Sequence, residues 1–175
     1  MNNFYQVTMK ETNTREVNAS NYWAKMNVIN SSFDMQDLVR LCLGNFIASG
    51  KYRTVFDWDL RPNTIVKYCH SENCQPNWAE YTIWQAVKDT KNAKWFCPVI
   101  DISPCGRFLL MKKVKALKST DKLPKKLPNF FSDIHTGNFG WIGKQLVCFD
   151  YQFIERGIDL AFNTNMRNAE WTKYF

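Results

Sequence analysis

The stretch from Asp133 to Asp150, Asp-Ile-His-Thr-Gly-Asn-Phe-Gly-Trp-Ile-Gly-Lys-Gln-Leu-Val-Cys-Phe-Asp, constrains this chain more tightly than any other. After Asn138, two short apolar runs, Phe139 to Ile142 and Leu146 to Phe149, flank Gly143-Lys144, the pattern of a tight β-hairpin. A hairpin returns the chain to its start, so Asp150 ends close to Asn138. Their carboxylate and amide oxygens are hard ligands of the kind Mg²⁺ takes. Asp133 lies in the loop before Asn138 and stands beside that site as a candidate base. Taken alone, Asp133 to Asn138 also reads as an ordinary polar turn, because Asp, Asn and Gly all favour turns. The placement of Asp150 weighs toward the metal site.

The 175 residues, 45% hydrophobic and 15% aromatic, suffice for a packed core in one domain or one small two-lobed unit. No apolar run has the length of a membrane span, and the polar start Met-Asn-Asn-Phe-Tyr-Gln lacks the layout of a signal peptide, so a cytoplasmic protein is predicted. The six cysteines form no Cys-x-x-Cys pair and read as reduced core thiols. Cys69 and Cys74 bracket His70, but a zinc site there lacks a further ligand. Much of the net charge of +7 comes from Lys112 to Lys126, which holds seven lysines against Asp121. Such a run is ordinarily a solvated face or linker, and equally suits nucleotide phosphates or an acidic protein. No nucleic-acid motif accompanies it.

In chain order, residues 1–33 are polar and show no sustained period. From Asp34, a good N-cap, the residues Leu38, Leu41, Cys42, Asn45 and Phe46 recur at helical spacing up to Ser49-Gly50, predicting a helix. Two antiparallel strands follow, Tyr52 to Phe56 and Thr64 to Cys69. A second helix is predicted from Gln75 to Lys88, with Asn77 as N-cap and Tyr81, Trp84, Ala86 and Val87 mostly inward. Glu80, three residues after Asn77, suits a capping box. Phe96 to Ile102 and Arg107 to Val114 read as strands joined by a turn at Ser103 to Gly106. Pro124 and Pro128 leave no room for a long helix after Val114, and a short helix is expected from Asn168 to Phe175.

The spacing Asp133-x-His135-x-x-Asn138, followed by a hydrophobic strand ending in Asp150, resembles the catalytic and metal-binding loops of protein-kinase-like phosphotransferases. It is most similar to those of aminoglycoside phosphotransferases and of the small serine/threonine kinases of tailed bacteriophages. The resemblance spans Gly50 to Phe153. It implies an α+β, compact kinase-like fold, with an antiparallel-sheet nucleotide lobe and its preceding helix in 34–113 and a reduced second lobe in 114–175. Asp133 would orient or deprotonate the acceptor hydroxyl, while Asn138 and Asp150 hold Mg²⁺ on the phosphates of ATP. Ile65-Val66-Lys67 matches the family's Val-x-Lys strand, so Lys67 would contact the α- and β-phosphates. Glu80 would pair with Lys67, the capping box being its other reading. Adenine would lie against the backbone near Met111 to Lys113. Gly50 is the one glycine kept from the phosphate loop, where Lys51 or Arg53 would substitute charge for backbone contacts.

The chain departs from that pattern in four ways. The loop keeps one glycine, too few residues separate Lys113 from Asp133 for the usual helices, Phe131 replaces a polar residue before the catalytic aspartate, and Asp150-Tyr151-Gln152 is followed by no activation segment. The function predicted is an ATP- and Mg²⁺-dependent phosphotransferase, a minimal bacteriophage-type serine/threonine kinase acting on host proteins in the host cytoplasm. A pseudokinase that binds nucleotide or a partner without transfer, a small-molecule kinase, and a basic binding protein with no nucleotide site stay open as alternatives.

Overall fold

The computed structural model describes residues 42–71, 73–154 and 164–173. The segment 1–33 and the start of the helix expected from Asp34 lie outside them. The chain is a mixed α+β protein. Its main sheet contains β1 (Leu43–Ser49), β2 (Arg53–Trp58), β3 (Thr64–Cys69), β4 (Val99–Ile102) and β5 (Phe108–Lys112) in the spatial order β1-β2-β3-β5-β4, all neighbours antiparallel. The helix α1 (Gln75–Val87) follows β3 and packs on one face.

Residues Leu43 to Ser49 are therefore a strand, not the end of the helix expected there. The strand pairs with β2 from Leu43↔Trp58 to Ser49↔Thr54, but its register shifts between Leu43 and Phe46 and again between Phe46 and Ala48. Each irregularity breaks the two-residue alternation of a strand. That leaves the apolar residues at a spacing that imitates a helix.

The second helix forms where its pattern places it, but it starts differently. Its N-cap is Cys74, in a left-handed conformation with no side-chain cap bond, and Pro76 occupies the first turn, where a missing N–H costs nothing. Asn77 is not the cap. It is buried, and its Nδ2 donates to the carbonyls of Lys67 and Gly106 at 3.1 and 2.8 Å. Asn77, Glu80, Ile83 and Val87 form the buried stripe at helical spacing, whereas Ala86 is exposed.

Period-two alternation along β3 and β5 divides the core. Ile65, Leu109 and Met111 join Ile83 and Val87 under α1, while Val66, Phe108 and Leu110 pack with Trp58 on the opposite face. The first cluster continues into stacked and edge-on rings, Phe96 with Phe130, Phe131 and Tyr151, and Phe131 with Phe139. The turn before β5 needs its glycine: Gly106 has φ +73, and a Cβ there would stand 2.2 Å from Trp78 Nε1.

Beyond β5 come β6 (Lys115–Ala116), β7 (Lys126–Pro128), β8 (Phe139–Ile142), β9 (Gln145–Cys148) and β10 (Met166–Asn168). The β8–β9 hairpin is as expected, turning between Ile142 and Gln145 with Gly143 at φ +60. The expected C-terminal helix is not formed by its described residues. Met166 to Asn168 instead pair with Lys126 to Pro128, and Thr172 bridges to His135. The seven lysines between Lys112 and Lys126 are all exposed, a solvated face. The cysteines are free thiols, with Cys42, Cys69, Cys74, Cys97 and Cys148 buried and Cys105 exposed. Among the described residues, no helix is long and apolar enough to cross a membrane.

Candidate functional site

Alternation along β3 turns Lys67 to the same face as Ile65, under α1, and the helix stripe turns Glu80 toward it. The two meet with Lys67 Nζ at 3.0 and 2.8 Å from Glu80 Oε1 and Oε2, and Lys67 also donates to the carbonyl of Phe149. Lys67 is 3% and Glu80 0% exposed, so a cap at the helix surface does not describe the glutamate. Arg53, the first residue of β2, extends the pair into a chain of four charges. Its Nη1 lies 3.0 Å from Glu80 Oε2, and its Nη2 donates to Asp150 Oδ1 at 2.7 Å. Arg53 is 8% exposed and Asp150 34%.

Lys67, Arg53 and Asp150 line one wall of a cavity of about 260 Å³, and Glu80 is buried against the two cations. The turn from Ala48 to Arg53 closes it on one side, and Gly137, Phe149 and Asp150 close it on the other. Gly50 and Lys51 are exposed on that turn, and Lys51 lies over the Tyr52 ring at 5.1 Å. A Cβ on Gly50 would meet only Arg53 O, at 3.9 Å, so the turn itself does not demand glycine there. Of the predicted site residues, Glu80, Asp133 and Asn138 lie outside the lining of this cavity, and Met111 is not brought to it at all. Met111 is wholly buried and flanked in register by Ile65 and Val99, and beyond it the Lys112 and Lys113 N–H groups donate to Pro98 O and Asn63 O. A larger cavity of about 550 Å³, between Tyr52, Pro76 and Phe153, has no charged side chain in its lining and offers phosphate no counter-charge.

The hairpin brings the other predicted residues together. Phe149 N–H donates to Asn138 O at 2.8 Å, which places Asp150 next to the Asn138 loop. Asn138 Nδ2 donates to Asp133 Oδ2 at 3.0 Å and to Asp133 O at 3.2 Å. His135 Nδ1 accepts from Gly137 N–H at 3.1 Å, and its Nε2 lies 3.5 Å from the same Asp133 oxygen. Asp133 is 55% exposed and opens on a polar cavity of about 210 Å³ shared with His135, Arg167 and Glu170. Phe131 is not a polar support for this loop but part of the aromatic core. The 164–173 segment supplies the support: Thr172 exchanges backbone bonds with Ile134 and Thr136, and Arg167 donates to Phe131 O.

The carboxyls of the charge chain shift in opposite directions. Burial pushes Glu80 up, and Lys67 and Arg53 only partly offset it. For Asp150 burial also acts upward, but the charges of Lys67 and Arg53 outweigh it and hold the group below its ordinary value. The difference follows exposure: Asp150 keeps water that Glu80 has lost.

Among the described residues, no three His, Cys, Asp or Glu side chains converge as a cation site. The donors suit Mg²⁺ nonetheless. This ion characteristically takes one or two protein oxygens and completes its shell with phosphates and water. Asp150 supplies a carboxylate, and Asn138, with its NH₂ turned to Asp133, directs its carbonyl oxygen elsewhere. The hub role of Arg53 is the feature that sequence reasoning missed. It appears only once the fold closes a separation of 97 residues.

No family model matches this chain, and no curated protein matches it in sequence.

Proposed function

We propose that this chain is an ATP- and Mg²⁺-dependent phosphotransferase with a protein-kinase-like arrangement, acting on a hydroxyl of another protein. The observation that carries the reading is the buried Lys67–Glu80 pair, whose lysine lines a cavity that Asp150 and the Gly50 turn also line. A lysine clamped by a carboxylate is a fixed cation for phosphate oxygens. Asn138 and Asp150 would hold Mg²⁺, which when bound neutralises charge on the transferring phosphoryl group.

Asp133 is then the residue for the acceptor. Its contacts with Asn138 and His135 fall on Oδ2, so Oδ1 is the oxygen that would accept from an incoming hydroxyl. Asn138 fixes the carboxylate's orientation, as a positioning residue should. Host proteins of a bacterium are the acceptors the family resemblance suggests.

One observation favours a binding-only protein instead: Asp150 already has Arg53 as its counter-ion. Incubation with γ-labelled ATP, Mg²⁺ and bacterial cell extract separates the two. Label in protein that depends on this chain supports transfer, and nucleotide binding without label supports the binding-only reading.

A further inference from the structure

We propose that Arg53 is an internal counter-ion that holds Asp150 until Mg²⁺ and nucleotide arrive together, and then turns its guanidinium to the phosphates. This rests on the nucleotide-site reading above. Arg53 Nη2 occupies Asp150 Oδ1 at 2.7 Å, on the carboxylate that a metal would need. Lys67 and Arg53 balance Glu80 and Asp150, so this chain of four charges is neutral before any ligand binds. Mg²⁺ alone would place two more positive charges on the same carboxylate, beside a guanidinium that is only 8% exposed. That repulsion is strong where the dielectric is low.

Phosphate removes the conflict because it gives the arginine somewhere to go. Guanidinium matches phosphate oxygens with paired N–H donors. Arg53 Nη1 is buried 3.0 Å from Glu80 Oε2 but poorly aligned with it, so phosphate could offer this nitrogen a better-directed acceptor. Arg53 also lines the cavity itself, directly after the exposed Gly50–Tyr52 turn. Its backbone is anchored opposite Cys69, so the exchange needs a side-chain rotation and leaves β2 in place. The site would thus take the metal–nucleotide complex and discriminate against the free cation.

The test is a melting series on the full chain with MgCl₂ alone, the non-hydrolysable analogue AMP-PNP with EDTA, and Mg·AMP-PNP. For the wild type we expect stabilisation by Mg·AMP-PNP and little by Mg²⁺ alone. Arg53→Gln should respond to Mg²⁺ alone, with a half-effect concentration about tenfold or more below that of the wild type, as expected when a like charge leaves the site. Equal Mg²⁺ responses in the two proteins, with both still binding Mg·AMP-PNP, would overturn the inference and leave the nucleotide site standing. If neither protein responds to Mg·AMP-PNP, the nucleotide reading fails and the inference goes with it. Since Arg53→Gln also strips a counter-ion from buried Glu80, a measurement on wild-type protein stands beside it. The arginine side-chain NMR signal assigned to Arg53 by its loss in Arg53→Lys should move with Mg·AMP-PNP and stay with Mg²⁺ alone. A signal that moves with Mg²⁺ alone, or not at all at saturation, contradicts the exchange.

Discussion

Lys67 Nζ contacts both carboxylate oxygens of Glu80, at 3.0 and 2.8 Å, in a fully buried pair joining β3 to α1. Strand alternation aims the lysine and the helix stripe aims the glutamate. Neither side chain has water to fall back on, so each depends on the other.

Magnitude distinguishes that pair from a helix cap. Breaking a buried ion pair from one side costs about 3–5 kcal/mol, whereas losing a capping side chain costs about 0.5–2 kcal/mol. Glu80→Ala should fall in the upper range by urea denaturation. A loss confined to the lower range would return Glu80 to the capping role.

The Asp150 carboxyl sets an acid limb of stability. Its folded pKa lies below the ordinary 3.8, so between the two values the unfolded chain binds more protons and stability falls as pH falls. The contribution is complete above the ordinary value and lost as pH drops through the folded one. Asp150→Asn should therefore lose stability relative to wild type at pH 6, with the gap closing as pH falls below 3.8. A gap that stays constant through the acid range would contradict the pairing with Arg53 and Lys67.

Phe131 serves packing under the Asp133–Asn138 loop. It touches Phe96, Phe130 and Phe139 and is nearly wholly buried. Phe131→Ala should cost about 3–5 kcal/mol of unfolding free energy. Phe131→His, which installs a polar ring among apolar ones, should also destabilise. Wild-type melting of the histidine variant would mean that the loop tolerates polar support.

Mg·ATP should stabilise the chain. At a hundredfold excess over Kd the gain is about 2.7 kcal/mol, or roughly 5–10 °C in Tm for a domain of this size. Differential scanning with Asp150→Ala as control checks this. A melting curve indifferent to millimolar Mg·ATP leaves only the charged surface as a binding feature.

Legibility in the sequence followed the range of the interactions. Thr64 to Cys69 and the Gly143-Lys144 hairpin are specified by nearest neighbours, and both formed where their pattern placed them. β1 was hidden because two register irregularities erase its alternation. Asn77 resembles a cap locally, yet its amide is spent on carbonyls of β3 and the turn before β5, contacts that only the closed fold supplies. The helix expected from Asn168 fails for the same reason, since Asn168 pairs with Lys126 on a distant strand. Within the candidate site, the resemblance pointed to Lys67, Glu80, Asn138 and Asp150; Lys67 meets Glu80, Arg53 links that pair to Asp150, and Asn138 bonds to the backbone of neighbouring Phe149. Arg53 was legible only as a charge near a glycine, because its partners are Glu80 and Asp150 and nothing in its neighbourhood names them.

The measurement closest to the central claim compares Asp133→Asn with wild type for Mg·ATP affinity and for γ-label transfer, side by side. Asp133 touches Asn138 and lies outside the lining of the charged cavity, so its carboxylate should matter to turnover and not to nucleotide binding. We expect near-wild-type Mg·ATP affinity and transfer reduced by about 10²-fold or more, the scale of a removed general base. An Asp133→Asn protein that transfers at the wild-type rate, or a wild type that binds Mg·ATP and transfers nothing above background, would contradict the account.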